Sequence, residues 1–292
     1  MRRMLLLVTT ISLELVLVVG GVAASQQLQQ QSTSSQSTTT PEKSSGEVSI
    51  QSTTVKASFA SGSGANFLGV KVSNHGNLRS FESPQGKENL FSGAEGYAVC
   101  SNFNNTVHGH DTGAVEAGFG TPTFVQPTAG AFPLTVTRNT TDGKFQLKQV
   151  WAKPDATEKD ITVTMTLKNL SSATINNVFV SRSGDFDIGA TSQNQGARTS
   201  DSVWQWNDLS TQSPDRPAGG VMLSAATFGT VHTTNVEPRS DWFDGTRRNC
   251  FAQTPDLTTP TSVQDLVMRA RYSLFDLSAG QSKTIKFEYR RM

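Results

Sequence analysis

The chain has 292 residues, enough for one large domain or two small ones, and 35% of them are hydrophobic. Its 25 basic and 24 acidic residues leave a net charge of +1. A balance this even, with no basic stripe beyond a pair such as Arg247-Arg248, argues against nucleic-acid binding.

Residues 1–25 read as a signal segment. Arg2 and Arg3 supply the positive start, the stretch from Leu5 to Val22 is mostly apolar, and Val22-Ala23-Ala24 offers small residues for a peptidase. Glu14 inside the apolar stretch would be costly in a permanent membrane helix, which favours cleavage over anchoring. The expected location is secreted or periplasmic, with no stable membrane insertion after cleavage. An uncleaved N-terminal anchor is the alternative. Residues 26–47 are a Gln/Ser/Thr-rich run that cannot bury enough surface to offset its ordering entropy, so a disordered spacer is expected there.

From residue 48 to 292 the pattern is that of strands. Leu68-Val70-Val72, Leu78 to Phe81 and Tyr97 to Cys100 are short candidates. Leu134 and Val136 alternate with Thr135 and Thr137, Thr141-Asp142-Gly143 makes a turn, and Phe145, Leu147 and Trp151 follow, which predicts a hairpin. The clearest alternation is Ile161, Val163, Met165 and Leu167 between Thr162, Thr164, Thr166 and Lys168. Side chains on a strand point to opposite faces, so this segment buries one face and wets the other. Ile175, Val178 and Val180 continue in a second strand, followed by Val203 to Trp206 and Val221-Leu223-Ala225. Met268, Ala270, Tyr272 and Leu274 alternate next, then Ile285, Phe287 and Tyr289 after the turn at Leu277 to Ser282. No window shows a helical period beyond two turns. Many short strands between Gly, Pro, Asn and Asp turns predict an all-β fold, a large antiparallel β-sandwich over residues 48–292. Two smaller sandwiches meeting near Trp151 to Glu158 are the alternative.

The segments ITVTMTLKN, INNVFVS and LSAGQSKTIKFEY resemble bacterial extracellular immunoglobulin-like modules, in which a strand ending in Asn precedes a similar valine-rich strand and an "aGqs" turn precedes the last one. The resemblance covers about a sixth of the chain and implies structural or adhesive work, with no catalytic residue carried over. Some 95 residues separate the pieces, more than a minimal module holds. A larger, galactose-mutarotase-like sandwich accommodates them equally.

Cys100 and Cys250 are the only cysteines, and an even count behind a signal segment predicts a disulfide. His108-Gly109-His110-Asp111 is the densest group of metal-competent side chains. Two His at i and i+2 on a strand share a face and could ligate one divalent metal, with His75 or His232 as a third ligand. A polar loop is the competing reading. No other cofactor is implied. Asp185 and Asp187 would share a face and could bind calcium or act as an acid/base pair on a glycoside; a solvated loop is the alternative. Trp204 and Trp206 alternate beside Asp201, Gln205 and Asn207, and Trp242-Phe243 follow. Indole rings stack on the apolar faces of sugars, although alternate Trp residues also build cores.

The chain lacks G-x-S-x-G, H-E-x-x-H, Walker and G-x-G-x-x-G patterns. The expectation is an exported non-enzymatic β-sandwich that acts as a binding, adhesive or envelope component, with an extracellular glycan or envelope component as partner. The alternative is a carbohydrate-active enzyme on a large β-sandwich. An enzyme would gather Asp185, Asp187 or the His pair with the Trp residues in one concavity, whereas a binding module would present a flatter aromatic face.

Overall fold

In the computed structural model, Ile161, Val163, Met165 and Leu167 are all buried while Thr162, Thr164 and Thr166 are half-buried on the other side, as alternation requires. The structure describes residues 54–90, 94–102, 106–113, 115–155, 157, 159–188, 194–207, 220–227, 230–238, 250 and 265–292. The expected signal segment and spacer, Arg247-Arg248 and Trp242-Phe243 lie outside them. Among the described residues one 3-10 turn, Gly64–Asn66, is the helical element, and no helix is long and apolar enough to cross a membrane.

The described residues form seventeen strands, in chain order β1 Val55–Ser61, β2 Leu68–Ser73, β3 Leu78–Glu82, β4 Glu95–Ser101, β5 Thr106–Asp111, β6 Glu116–Ala117, β7 Thr123–Val125, β8 Leu134–Asn139 and β9 Phe145–Trp151. They continue with β10 Asp160–Asn169, β11 Ile175–Asp185, β12 Asn194–Arg198, β13 Ser202–Asn207, β14 Gly220–Ala225, β15 His232–Pro238, β16 Leu266–Leu277 and β17 Ser282–Arg291. An eight-stranded sheet runs β12-β13-β14-β17-β10-β9-β8-β7, a six-stranded sheet β15-β16-β11-β4-β5-β6, and a three-stranded sheet β1-β2-β3. All strand pairs are antiparallel, and the sheets form a sandwich.

The predicted hairpin is β8–β9, in register from Leu134↔Trp151 to Asn139↔Gln146. β10 pairs with β9, so the eight-stranded sheet runs unbroken across the Trp151 to Glu158 stretch where a division was conceivable. The residues from 46 to 292 form one compact unit. Two other turns carry the chain between layers. The Asn169 side chain bonds the carbonyls of Ala173, Leu277 and Ser278, tying both crossings, β10 to β11 and β16 to β17, at one corner. One continuous apolar core includes Val163, Phe287 and Tyr289 of the eight-stranded sheet, Val180, Tyr272 and Leu274 of the six-stranded sheet, and Val70 and Phe81 of the small one.

Candidate functional site

β13 reads Ser202-Val-Trp-Gln-Trp-Asn. Val203 and Gln205 are fully buried, so Trp204 and Trp206 take the opposite parity and lie half-exposed on the outer face of the eight-stranded sheet. They are therefore not core. Trp206 stands between Gln195 of β12 and Gly220 of β14, and Trp204 between Ala197 and Met222. The Trp206 Nε1 donates to Gln195 Oε1 at 2.7 Å, which fixes the indole plane. Gly220 contributes no side chain next to that ring, and the Met292 side chain lies over the glycine instead, with its Cβ 3.3 Å from where a Gly220 Cβ would stand. Outward from Met222 the same face continues to Arg290 of β17 and Asp160 of β10, which form an ion pair at 3.2 Å. The result is an outer face that combines aromatic and polar side chains. Asp201 is exposed, and hydrogen bonds from His232 and Ser200 hold its carboxyl below the usual range. Gln205 points inward, away from this face, and the side chain of Asn207 lies outside the described residues.

Asp185 does not join the Trp face. In β11, Val180 and Arg182 point into the sandwich, so Ser181, Ser183 and Asp185 point away from the eight-stranded sheet. Asp185 and the Trp pair thus stand on opposite outer sides of the sandwich, and the structure does not bring together the grouping that the alternative enzyme reading would require. Asp185 and Asp187 are buried instead and meet the half-buried Asp265, with carboxylate oxygens within 4.8 Å of one another. An all-oxygen set of this kind is of the type calcium takes. All three carboxylates are engaged in the protein's own interactions.

The two expected metal ligands are likewise separated. β4 and β5 pair with a register shift between Val99↔Gly109 and Cys100↔Val107, so His108 is the extra residue of a β-bulge. A bulge re-aims its side chain. His110 lies opposite Ala98, whereas His108 turns into a contact with Phe145 at 4.8 Å between ring centroids. The i, i+2 rule fails here because the register change is a property of the pair of strands, invisible in one strand's alternation. His108 Nδ1 lies 2.6 Å from Asp142 Oδ2, and Nε2 lies 2.8 Å from Ser101 Oγ. Asp142 also accepts from Thr140 Oγ1 at 2.6 Å and from the Lys144 backbone N–H at 3.1 Å. Burial works against the Asp142 charge, but the hydrogen bonds from Thr140 and His108 hold its carboxyl below the usual range. Burial outweighs Asp142 at His108 and pushes its imidazole down. A neutral ring facing a carboxylate must carry its proton on Nδ1, which leaves Nε2 to accept from the Ser101 hydroxyl.

His75, named from sequence as a third ligand, belongs to a different cluster. Its Nδ1 lies 3.1 Å from Asp111 Oδ2 and 2.9 Å from Glu116 Oε2. Arg138 reaches the same two carboxylates, 2.8 Å from Asp111. That guanidinium supplies the positive charge a metal ion would bring. Burial opposes the His75 charge, yet the hydrogen bonds to Asp111 and Glu116 prevail and push its pKa up to about 9. Among the described residues, His75–Asp111–Glu116 and Asp185–Asp187–Asp265 are the close sets of metal-competent side chains, and neither contains His108 or His110.

Beside it lies a second buried network that sequence reading missed. Arg182 makes a two-pronged contact with Glu95 at 2.8 Å on each prong, and donates to Gln149 Oε1 at 2.7 Å and the Gly76 carbonyl at 3.1 Å. Tyr289 donates to the same carboxylate, and the Leu78 N–H does so at 2.7 Å. Trp151 stacks under the guanidinium at 4.8 Å. The signal was present in parity. Arg138 follows Leu134 and Val136, Arg182 follows Val178 and Val180, and Gln149 follows Phe145 and Leu147 on the inward side of their strands.

Cys100 and Cys250 form a disulfide that closes a separation of 150 residues. Ala98 and Phe179 pack around it in a cluster distinct from the main core.

No family model matches the chain, and no curated protein sequence does. Solved structures of similar fold include a bacterial glucoamylase complexed with acarbose, with a TM-score of 0.52 and 8% identity over 82% of this chain and 33% of the other. A heparan sulfate lyase from Pedobacter heparinus has a TM-score of 0.41 and 8% identity over 81% of this chain and 36% of the other. An α-galactosidase variant from Geobacillus stearothermophilus has a TM-score of 0.32 and 8% identity over 80% of this chain and 40% of the other. The chain spans between about a third and two fifths of the length of these proteins. At such identity the glucoamylase likeness is one of fold alone, that of a large β-sandwich.

Proposed function

We propose that this protein is an exported glycan-binding β-sandwich whose contact surface, the outer face of the eight-stranded sheet around Trp204 and Trp206, binds without catalysis. The observation that carries the reading is the placement of both indoles outward on neighbouring positions of one strand face, one of them oriented by Gln195. A ring held by its N–H keeps its π-face free, and a preoriented aromatic loses little entropy on stacking against a sugar.

Three further points support it. A sheet of eight strands facing one of six exceeds the seven to nine strands of an immunoglobulin domain, and favours the galactose-mutarotase-like kind of sandwich. The neighbour with the TM-score of 0.52 is a glucoamylase, a carbohydrate-acting protein. The Cys100–Cys250 disulfide suits an oxidising compartment outside the cytoplasm. Binding is favoured over glycoside hydrolysis because Asp185, the carboxylate nominated for catalysis, stands on the far side of the sandwich from the aromatic face.

Retention of the full chain on immobilised polysaccharides tests this. Wild-type protein should be retarded on at least one of α-glucan, β-glucan and galactan gels, and Trp204→Ala and Trp206→Ala should each elute earlier. Elution of the wild type at the unretarded volume on all three gels would count against it.

A further inference from the structure

We propose that Ser101, His108 and Asp142 form a nucleophile–base–orienting triad that hydrolyses carboxylic esters of hydrophilic alcohols, at a second site independent of the Trp face. The contacts are those the chemistry needs: Ser101 Oγ to His108 Nε2 at 2.8 Å, and His108 Nδ1 to Asp142 Oδ2 at 2.6 Å. Each member is held by something other than the next. Ser101 ends β4, directly after the disulfide-bonded Cys100. Asn102, the next residue, turns the chain at φ 53°, a left-handed backbone that Asn tolerates. The bulge in β5 aims His108, whose ring is braced edge-on by Phe145. Thr140 Oγ1 and the Lys144 N–H fix Asp142 through its other oxygen.

The site opens on a cavity of about 390 Å³ lined by Ser101, His108, Thr106, Lys144, Ser171 and Asn176 among others. Ser101 is only 1% exposed, and this cavity, which it lines, is the approach to its hydroxyl. Hydroxyl and amide side chains in the wall suit a polar alcohol portion, and Lys144 adds a positive charge to the cavity lining. In the reaction Ser101 Oγ attacks the ester carbonyl carbon while its proton passes to His108 Nε2. The carbon–oxygen bond to the alcohol then breaks, and the alcohol leaves with that proton. Water, deprotonated by His108, attacks the acyl-serine. The carboxylic acid departs and the proton returns to Ser101. No oxidant or reductant enters.

The test uses the full chain with a fluorophosphonate probe and with p-nitrophenyl acetate. Ser101 should be phosphonylated in peptide mass mapping. Ser101→Ala, which removes one hydroxyl and keeps the fold, should abolish the label and lower ester turnover by at least about 100-fold. His108→Gln should slow labelling to a similar extent at an unchanged melting temperature. Asp142→Asn should lower kcat by about 100-fold or more with KM within about twofold, the split of a positioning residue. An unlabelled Ser101, labelling that is equally fast in His108→Gln, or Ser101→Ala turning over ester like the wild type would each overturn the proposal.

Discussion

Arg182 and Glu95 form a completely buried ion pair, each side chain at 0% exposure, at the centre of the sandwich. The pair joins β11 and β4 of one sheet to Gln149 of β9 and Tyr289 of β17 in the other. Four donors converge on the Glu95 carboxylate, and Glu95 drives the Arg182 guanidinium further above its already high range despite the burial. Breaking such a pair leaves one charge uncompensated in a low-dielectric interior. Arg182→Met is expected to lower the unfolding free energy by about 3–5 kcal/mol in urea denaturation, and adding Glu95→Gln should restore part of the loss. A loss below about 1 kcal/mol, the scale of an exposed pair, would show that water reaches the network.

His75 gives the fold a dependence on alkaline pH. Asp111, Glu116 and Arg138 face its ring, and its pKa stands at about 9 in the folded protein against about 6.5 in an unfolded chain. A raised pKa stabilises the protein fully below about pH 6.5, and that stabilisation is lost as the pH rises through about 9. Comparing denaturation at pH 6 and pH 10 should show wild type losing about 2–3 kcal/mol more than His75→Gln does. Parallel pH profiles for the two proteins would mean that His75 is neutral in the fold.

Gln205 is fully buried on the inward side of β13, and neither atom of its amide has a hydrogen-bond partner among the described residues. An unsatisfied buried amide costs about 1–3 kcal/mol. Gln205→Met keeps the shape and removes the polar atoms, so it should raise the urea midpoint with the slope unchanged. A lowered midpoint would show that the amide makes a bond in solution.

Alternation made much of the sandwich legible. β10 was readable from Ile161, Val163, Met165 and Leu167, and the β8–β9 hairpin from its Thr-Asp-Gly turn, because burial of a two-sided strand is written locally. The sites were less legible, because they depend on what lies across a strand or a sheet. Trp204 and Trp206 could be assigned to either face until Val203 and Gln205 were known to take the inward one. His108 looked like a partner for His110, and only the shifted pairing of β4 with β5 turns it to Ser101 and Asp142. Asp142 had been accounted for as a turn residue. The charged interior breaks the apolar rule at Arg138 and Arg182, whose partners lie up to 107 positions away in sequence.

The account rests most heavily on the outward indoles of Trp204 and Trp206, and a paired measurement on Trp206→Ala tests them directly. The melting temperature and the intrinsic fluorescence response to soluble α-glucan, β-glucan and galactan are recorded on the same preparation. The expected result is a melting temperature within a few degrees of wild type, as for a surface change of under about 1 kcal/mol, together with loss of the polysaccharide-induced fluorescence change. A fall matching the roughly 3–5 kcal/mol of a truncated core tryptophan, or an undiminished response to polysaccharide, would contradict it.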